Sequence, residues 1–250
     1  MLAYNDYMQK ELIKSRFNKS VHTYETYAVV QKKMAEILVS LADKENYDNI
    51  LELGCGTGFV TKELVKKVKF KSYYAIDIAE NCENYIRKIS DKINFICEDI
   101  EKIDINIYSN LIISNASLQW LENLPEFINK TMLFLADGGS FIFSIFGRDN
   151  YKELNLLINR KPQYRQPDEI LELLKDYSVE FIKDEHIVLN FNSPKDVLYH
   201  MKYTGVNALS QTKWTKKDLE NFEKEYLKIC PEKITLTYHP IYIKIKNSNN

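Results

Sequence analysis

Hydrophobic residues in this chain recur in runs that are separated by stretches with helical spacing. The runs are rich in isoleucine, tyrosine and phenylalanine, which is typical of buried strands. The stretches between them place apolar residues three and four positions apart, as one face of a helix requires. The pattern predicts seven strands, at residues 48–53, 72–77, 93–97, 110–114, 140–146, 185–191 and 234–245.

Helical patterns fill most of the intervals between these strands. The predicted helices are 59–67, 80–90 and 125–135 among the first five strands, and 194–204 and 215–229 between the last two. Repeated strand–helix units favour a mostly parallel sheet with helices on both faces. Residues 2–43 are predicted to be helical throughout. Pro240 interrupts the last predicted strand and has no N–H to donate, which indicates a bulge or an edge position.

Three of the seven glycines, Gly54, Gly56 and Gly58, stand at alternate positions directly after the first predicted strand. Glycine lets the backbone approach a ligand without a clash at Cβ. A strand, a glycine turn and a helix together predict a nucleotide-type binding site at the carboxyl edge of the sheet. The spacing differs from that of the dinucleotide fingerprint, whose third glycine would fall at Phe59.

Acidic residues end the second and third predicted strands. Asp77 follows the glycine turn by about twenty residues, a spacing that places a carboxylate where it can accept both ribose hydroxyls. This feature indicates adenosine but does not distinguish between adenosine-containing ligands. Asp99 is an acceptor-only group that suits an amine donor, although a turn or helix-cap role is the alternative. A shift of one residue would exchange the roles of Asp99 and Glu98.

Composition narrows the class of protein. With 250 residues and 45% apolar content, the chain can bury the core of one large α/β domain. A net charge of −1 gives no overall field that favours nucleic acid. The four cysteines are scattered without metal-ligand spacing, so we expect reduced thiols and no metal. With no secretory signal and no apolar run near ~18 residues, the sequence predicts a soluble cytoplasmic protein.

The alternating glycines, with Glu52 two residues ahead of the first, resemble the S-adenosylmethionine loop of class I methyltransferases. That resemblance implies that Asp99 accepts the exocyclic amine of adenine and that Ile100 flanks the ring. It also implies that Asn115 and Ala116, just after the fourth strand, lie beside the methionine half of the ligand.

Further segments are similar to one family within this superfamily, the malonyl-acyl-carrier-protein O-methyltransferases that open biotin synthesis. The similar segments are 16–24 with Tyr27 and Gln31, Leu118-Gln119-Trp120, 143–147 with Glu153-Leu154, and 203–208. The likeness extends from about residue 15 to residue 245. The glycine turn alone indicates the superfamily, and the combination of segments indicates the family.

The resemblance implies an α/β fold with a seven-stranded, mostly parallel Rossmann-like sheet, helices on both faces and an antiparallel last strand. It implies one domain over residues 1–250, made of a helical lid, a cofactor-binding core, a substrate-side region and a terminal strand with its tail (1–43, 44–146, 147–233 and 234–250). The residues expected to bind S-adenosylmethionine are Tyr24, Gln31, Glu52, Gly54, Cys55, Gly56, Gly58, Asp77, Ile78, Asp99, Ile100, Asn115 and Ala116. Tyr24 and Gln31 would close over the ligand, although with Tyr27 their spacing also suits the packing of one helix face.

The reaction that the resemblance implies is methylation of the free carboxylate of a malonyl thioester, which leaves S-adenosylhomocysteine. A carboxyl with a pKa near ~4 is ionised at pH 7, so no general base and no catalytic residue are expected. A cation must hold the carboxylate, and arginine suits this role. Arg148 is the first candidate, with a solvated loop arginine as the alternative, and Arg16 is the second. Gln119, Trp120 and His22 are further substrate candidates, with a core position open for Trp120 and a helix surface for His22.

Basic residues are in excess within 10–19 and within 148–165. If they flank the mouth of the site, these stretches could steer an acidic acyl carrier protein that bears the malonyl group; a solvated helix face is the alternative. Two other functions stay open, namely carboxyl methylation of a different small acid and non-catalytic binding of S-adenosylmethionine by a regulator. We expect neither nucleic acid nor a membrane as a partner.

Overall fold

The structure is a computed structural model that describes residues 2–103, 106–157, 164–205 and 214–247, with side chains from residue 10 onward. The strands are β1 Asn46–Leu53, β2 Lys69–Asp77, β3 Ile93–Cys97, β4 Ser109–Asn115, β5 Leu135–Phe146, β6 Ser178–Asp184, β7 Ile187–Asn190, β8 Thr235–Tyr238 and β9 Pro240–Lys246. The α-helices are α1 Leu2–Tyr27, α2 Val29–Ser40, α3 Phe59–Lys67, α4 Glu83–Ile89, α5 Leu124–Met132, α6 Lys152–Asn155, α7 Pro167–Leu173, α8 Pro194–Tyr203 and α9 Lys216–Ile229. Single 3₁₀ turns lie at Glu80–Cys82 and Leu118–Trp120.

The main sheet has seven strands in the order β3-β2-β1-β4-β5-β9-β6. Strands β1 to β5 run parallel, whereas β9 is antiparallel to both of its neighbours, β5 and β6. The predicted fold class, with its antiparallel last strand, is confirmed. Because the parallel strands all end at one edge, the turns that follow them meet there, and this edge is where ligands bind in open α/β sheets.

Alternate residues along the central strands face opposite sides of the sheet, as a period of two requires. On β1, Ile50 packs into a core that α2, α3, α8 and α9 cover, whereas Leu51 packs into a core that α5 and α7 cover. Both side chains are fully buried. Because both faces of the sheet are covered, the central strands consist of nearly continuous apolar runs.

The sixth predicted strand is present, but its expected place in the main sheet was wrong. The strand that completes the main sheet is β6, which the sequence analysis missed, and the predicted strand 185–191 instead contributes β7 to a separate antiparallel pair with β8. The edge position of β6 explains the miss, since it pairs only with β9 and carries Glu180, Lys183 and Asp184 among half-exposed positions. Such charges protect an edge strand from unwanted pairing but weaken its apolar pattern.

The last predicted strand is divided at His239 into β8 and β9, which belong to different sheets. Pro240 is the first residue of β9 and lies opposite Phe146 of β5. It is not on an edge, because β9 lies between β5 and β6. The first residue of a strand tolerates the missing N–H. The interruption at this point was predicted, and of the two placements offered, a bulge or an edge, the edge was wrong.

The predicted N-terminal helical region consists of α1 and α2, which meet at Ala28. Helix α2 packs into the core through Val30, Met34 and Leu38, whereas α1 lies across the carboxyl edge of the sheet. Among the described helices, none combines the length and the apolar character that crossing a bilayer would require.

Candidate cofactor and acceptor site

A cavity lies at the carboxyl edge of the main sheet, between the ends of β1 to β5 and helix α1. It extends from the turn after β3, at one side of the sheet, to the turn after β5. Most of the predicted site residues line it: Arg16, Tyr24, Gln31, Glu52, Gly54, Cys55, Gly56, Asp77, Ile78, Asp99, Ile100, Asn115, Ala116, Gln119 and Trp120.

The glycine turn forms the floor of this cavity. Gly54, Gly56 and Gly58 all have positive φ, at 72°, 54° and 84°, a region that side chains with a Cβ rarely adopt. The N–H groups of Gly54 and Cys55 both donate to the carbonyl of Ile76, at 2.8 and 3.0 Å, and this holds the turn against the end of β2. A Cβ on Gly54 would lie 2.1 Å from Ser117 Oγ, so the turn after β4 packs directly on this glycine.

Asp77 is held in place by backbone donors from two elements. Its Oδ2 accepts from the N–H of Gly56 at 2.8 Å, and its Oδ1 accepts from the N–H of Ala79 at 2.9 Å. Burial raises the pKa of Asp77 even though these hydrogen bonds oppose the change. Each carboxylate oxygen keeps a second acceptor direction, so the fixed side chain can accept ligand hydroxyls.

Glu52 is the most deeply buried acid on the cavity wall. Its Oε2 accepts from Thr61 Oγ1 at 2.6 Å and from the hydroxyl of Tyr73. Burial raises its pKa to about 7, against the lowering effect of these two hydrogen bonds. The acid therefore changes its charge near neutral pH, and a cation in the cavity would favour its ionised form.

Asp99 connects the sheet to the N-terminal helix. Its Oδ2 accepts from Lys10 Nζ at 2.9 Å, and the same ammonium bridges to Glu101. Burial alone would lower the pKa of Lys10, but the two carboxylates raise it above its ordinary value. Glu98, the alternative to Asp99, is exposed, and only Asp99 of the two lines the cavity.

The turn after β4 is organised by side chains that bond to the backbone. Asn115 donates from Nδ2 to the carbonyl of Gln31 at 2.9 Å and accepts from Ser144 Oγ at 2.8 Å. The N–H of Ala116, a residue with a φ of 50°, donates to Ser144 Oγ at 3.0 Å. Gln119 closes the turn with a 2.6 Å bond from Nε2 to the carbonyl of Ala116. These contacts fix the strand end against helix α2.

Aromatic rings from α1 lie over the glycine turn. Tyr24 stacks on Phe59 with centroids 5.6 Å apart, and Phe17 meets Tyr24 edge-on at 5.1 Å. Phe17 Cζ would lie 3.4 Å from a Cβ on Gly56. Tyr24 therefore packs on its neighbours and also lines the cavity, and its closing over a ligand stays a prediction.

Four buried polar atoms on the cavity wall make no hydrogen bond within the described part of the chain. They are Gln31 Oε1, Thr57 Oγ1, Gln119 Oε1 and the hydroxyl of Tyr151. Leaving such an atom unsatisfied costs about 1–3 kcal/mol. The concentration of these atoms in one cavity indicates a ligand with several polar groups, and the donor and acceptor set fits S-adenosylmethionine, which carries hydroxyls, amines and a carboxylate.

The comparisons with known proteins agree with this geometry. A family model described as a methyltransferase domain matches residues 26–211. A malonyl-acyl-carrier-protein O-methyltransferase of Calditerrivibrio nitroreducens is 36% identical, with 94% of this chain and 96% of the relative aligned. Enzymes of the same name from Chlorobium luteolum and Haemophilus influenzae are 32% and 30% identical, with 93% and 97% of this chain aligned to 94% and 96% of theirs.

This chain belongs to the malonyl-acyl-carrier-protein O-methyltransferase family. Among solved structures, the fold is similar to that of the N-methyltransferase NodS of Bradyrhizobium japonicum, which was crystallised with S-adenosylhomocysteine. That likeness has a TM-score of 0.56 and 12% identity, and it covers 95% of this chain and 99% of NodS. YcgJ of a Bacillus is similar at a TM-score of 0.64 and 10% identity, covering 87% and 99%.

Three of the predicted site residues do not line the cavity. Gly58 instead lets α3 begin close to α4, since a Cβ there would lie 2.4 Å from Ile89 Cδ1. His22 is on the exposed side of α1. Arg148 extends into solvent, where its guanidinium forms a 2.5 Å ion pair with Glu169. Arg148 stands two residues after β5, near the edge where ligands bind, but its side chain pairs with helix α7 and does not enter the cavity.

Several cavity residues of this family member were missed in the sequence analysis. Lys10, Thr57, Tyr151, Asn155 and Tyr164 all line the wall. Thr57 lies inside the glycine motif and could have been found there. The other four lie on segments whose approach to the sheet edge depends on long-range packing, and no spacing in the sequence indicates it.

A cluster of potential metal ligands, Asp149, His186 and His239, lies near the end of β5, with one ligand atom of each within 4.8 Å of the others. The two imidazole rings stack with their centroids 4.4 Å apart and an angle of 14° between their planes. Their nitrogen lone pairs therefore lie in nearly parallel planes and do not converge on one ion. His239 is also engaged with Asp184 and with the N–H of Asp149, at 3.0 and 3.2 Å. We assign no metal to this cluster.

Proposed function

We propose that this chain transfers a methyl group from S-adenosylmethionine to the free carboxylate of a malonyl group carried as a thioester on an acyl carrier protein. The observation that carries the proposal is the set of relatives of that name, which are 30–36% identical over at least 93% of this chain. The cavity supports it, because its wall presents acids and unsatisfied polar atoms where the adenosine and methionine parts would lie.

The proposed contacts follow the order of the strands. Asp77 would accept the ribose hydroxyls, and Asp99 would accept the adenine amine beside Ile100. The polar atoms of Gln31 and Asn115 would face the methionine half. When bound, S-adenosylmethionine supplies an electrophilic methyl group on its sulfonium. Helix α1, fastened by Lys10, would cover the ligand and keep water from the reacting atoms.

The chemistry proposed for the acceptor demands positioning rather than proton transfer. A malonyl carboxylate is already ionised at pH 7 and can attack directly. Consistent with this, no histidine is found among the described residues that line the cavity. Holding two reactants in line can lower a barrier by roughly 7–11 kcal/mol, so the aromatic and polar wall would supply the catalysis by alignment.

Arg16 replaces Arg148 as our candidate for the cation that holds the malonyl carboxylate. It lies on α1, lines the cavity and is partly buried, and burial lowers its pKa. A guanidinium in a partly dry site binds a carboxylate more strongly than one in water. Arg148, by contrast, is exposed, and its guanidinium forms an ion pair with Glu169 outside the cavity.

The pair Arg16→Ala and Arg148→Ala tests this assignment. Loss of a charge-assisted hydrogen bond costs about 1.5–3 kcal/mol, so Arg16→Ala should raise the KM for a malonyl thioester about tenfold to hundredfold. The Kd for S-adenosylmethionine should change less than about twofold, and Arg148→Ala, the matched control, should leave both constants unaltered. Weaker cofactor binding in Arg16→Ala would assign this arginine to the cofactor, and a KM effect confined to Arg148→Ala would restore the first candidate.

The basic stretches proposed for carrier-protein docking are smaller than the sequence indicated. Lys10 is buried against Asp99 and Glu101, and Arg148 is paired with Glu169. Two other members of the second stretch, Arg160 and Lys161, lie outside the described residues. Lys14 and Lys19 lie on α1, the helix that borders the cavity, although neither lines it. Their charges support docking of an acidic carrier, which salt would weaken.

A transfer assay with labelled S-adenosylmethionine tests the function as a whole. The purified chain should methylate malonyl-acyl carrier protein, and the product should be a methyl ester sensitive to alkaline hydrolysis. Transfer only to a free tricarboxylic acid would overturn the proposal in favour of a different carboxyl methyltransferase. Cofactor binding in calorimetry without transfer to any acid would favour a regulator.

A further inference from the structure

Tyr151 has an unusual backbone conformation directly after the fifth strand. Its φ of 59° and ψ of 36° are left-handed, although it is not a glycine. Of the described non-glycine residues, Ala116 is the other one with a positive φ, and both line the cavity. Strain of this kind persists where the surrounding structure imposes it and concentrates at functional sites.

The surrounding backbone holds Tyr151 in this conformation. Its N–H donates to the carbonyl of Thr237 at 2.6 Å, and its carbonyl accepts from the N–H of Asn155 at 2.9 Å. The preceding residue, Asn150, is fully buried and accepts from the N–H of His239. The ring is fixed as well, because it meets Tyr238 edge-on with centroids 4.9 Å apart. The side chain therefore reaches the cavity in one defined direction.

The hydroxyl of Tyr151 is buried and makes no hydrogen bond of ordinary geometry within the described part of the chain. The nearby hydroxyl of Tyr238 interacts with it electrostatically and is itself bonded to His200 Nε2 at 2.6 Å, so an incoming carboxylate, with its full negative charge, is the stronger acceptor for Tyr151. Burial raises the pKa of Tyr151 well above its usual value, so the group stays protonated and is able to donate. Packing alone would be served equally well by phenylalanine, which has no hydroxyl to leave unsatisfied.

The position of Tyr151 separates it from the groups that would hold adenosine. Asp99 and Asp77 follow β3 and β2, on one side of β1, whereas Tyr151 follows β5, two strands beyond β1 on the other side. Its neighbours on the wall are Phe146, Leu154 and Tyr164. The wall around Tyr151 is mostly apolar, with a few hydroxyl and amide groups, and Arg16 lines the same cavity from α1. Such a wall suits an acceptor more than a nucleoside.

We propose that the Tyr151 hydroxyl donates a hydrogen bond to one oxygen of the acceptor carboxylate, orienting the other oxygen toward the methyl group. This inference rests on the proposed function. It makes Tyr151 a determinant of specificity for acids, because an acceptor without a carboxylate would leave the buried donor unsatisfied. The hydroxyl keeps its proton throughout, and the carboxylate remains the nucleophile.

Tyr151→Phe removes the hydroxyl and keeps the ring. We expect kcat/KM for malonyl-acyl carrier protein to fall about tenfold to hundredfold, as loss of a hydrogen bond to a charged group implies. The Kd for S-adenosylmethionine should stay within about twofold. The urea midpoint should change little, since this hydroxyl makes no hydrogen bond of ordinary geometry within the described residues. A residue with only a structural role would not lose activity while keeping its stability.

Tyr226→Phe is the matched control, because Tyr226 is buried outside the cavity and its hydroxyl donates to the carbonyl of Thr235 at 2.7 Å. This variant should lose stability and keep its kinetic constants. Acetyl-acyl carrier protein, which lacks the carboxylate, provides the second measurement, and its inhibition constant should be the same for wild type and Tyr151→Phe.

Three results would overturn the proposal, and they can be told apart. Equal kcat/KM for wild type and Tyr151→Phe would show that the hydroxyl has no part in binding the acceptor. A parallel loss of affinity for the acetyl thioester would assign the hydroxyl to the thioester carbonyl instead. If wild type itself transferred no methyl group to malonyl thioesters, the proposed function would fail and this inference with it.

Discussion

Replacing Glu52 by glutamine should alter the pH dependence of folding stability in a defined way. Glu52 is 2% exposed, and both of its described hydrogen bonds, from Thr61 and Tyr73, end on Oε2. A glutamine carbonyl can accept the same two bonds, so Glu52→Gln keeps the geometry and removes the titration. Any difference between the two proteins that varies with pH then reports the buried carboxyl.

The magnitude follows from the pKa. The carboxyl has an ordinary pKa of 4.5, and burial raises it to about 7 in the folded protein. At about 1.4 kcal/mol per pKa unit, this difference corresponds to about 3 kcal/mol. Below pH 4.5 both states hold the proton. Between pH 4.5 and about 7 the unfolded chain has released it and the folded chain has not, so stability falls as pH rises.

Urea unfolding of both proteins between pH 4.5 and pH 8 measures this effect. The stability of Glu52→Gln minus that of wild type should increase by about 3 kcal/mol across the range and level off above pH 7 to 8. Glu63→Gln makes the same change at a half-exposed position of α3, where Glu63 pairs with Lys66 at 2.8 Å, and controls for the loss of one negative charge. A difference that stays constant with pH would refute the reasoning, because Glu52 would then be ionised in the folded protein throughout.

Ligand binding provides an independent measurement of the same carboxyl. A cationic ligand in the cavity favours the charged form of Glu52, so binding near pH 6.5 should release a fraction of a proton to buffer. Calorimetry in two buffers of different ionisation enthalpy measures that release, and it should vanish in Glu52→Gln. Release that persists in the variant would assign the proton to another group.

Two further substitutions test the floor and the lid of the cavity. In Gly54→Ala the alanine must adopt a left-handed φ, which costs about 1–2 kcal/mol, and its Cβ would lie 2.1 Å from Ser117 Oγ, which must move. We expect a lower urea midpoint and at least a tenfold higher Kd for S-adenosylmethionine. A Kd equal to that of wild type would contradict the assignment of the glycine turn as the cavity floor. Lys10→Met keeps an apolar side chain of similar length but leaves Asp99 and Glu101 without their shared cation. Faster amide exchange and proteolysis within α1 should follow, with weaker cofactor binding, and unchanged exchange would show that Lys10 does not fasten the helix.

The central sheet and the glycine turn could be predicted because their signals are local. Strands buried on both faces consist of apolar runs. The three glycines with positive φ in the turn, Gly54, Gly56 and Gly58, stand at every second position. Asp77 was found for a similar reason, since its distance from the turn is fixed by one strand–helix–strand unit. Strand β6 was missed because an edge strand with charged residues carries little apolar pattern of its own.

The acceptor side of the cavity could not be predicted in the same way. Arg148 and Tyr151 follow the same strand three residues apart, yet one side chain pairs with Glu169 in solvent and the other enters the cavity. What decides between them is the left-handed conformation at Tyr151 and its bond to Thr237, a residue far along the chain. A turn of this kind has no signature in residue types, because tyrosine is not expected at positive φ.

Three acids line one wall of the cavity, namely Glu52, Asp77 and Asp99. Together they create a preference for positively charged ligands that none of their separate roles explains. In a partly dry cavity their combined field favours a ligand with net positive charge over a neutral one of the same shape. S-adenosylmethionine carries the sulfonium charge that S-adenosylhomocysteine lacks, so the wall favours the methyl donor over the spent product. The ion pair of Lys10 with Asp99 weakens this field at the adenine end of the cavity, where S-adenosylmethionine carries no charge. Glu52, with its pKa near 7, strengthens the field as pH rises. The Kd of S-adenosylhomocysteine divided by the Kd of S-adenosylmethionine should therefore increase from pH 6 to pH 8. In Glu52→Gln this ratio should not vary with pH. A ratio independent of pH in wild type would place the sulfonium away from this acid.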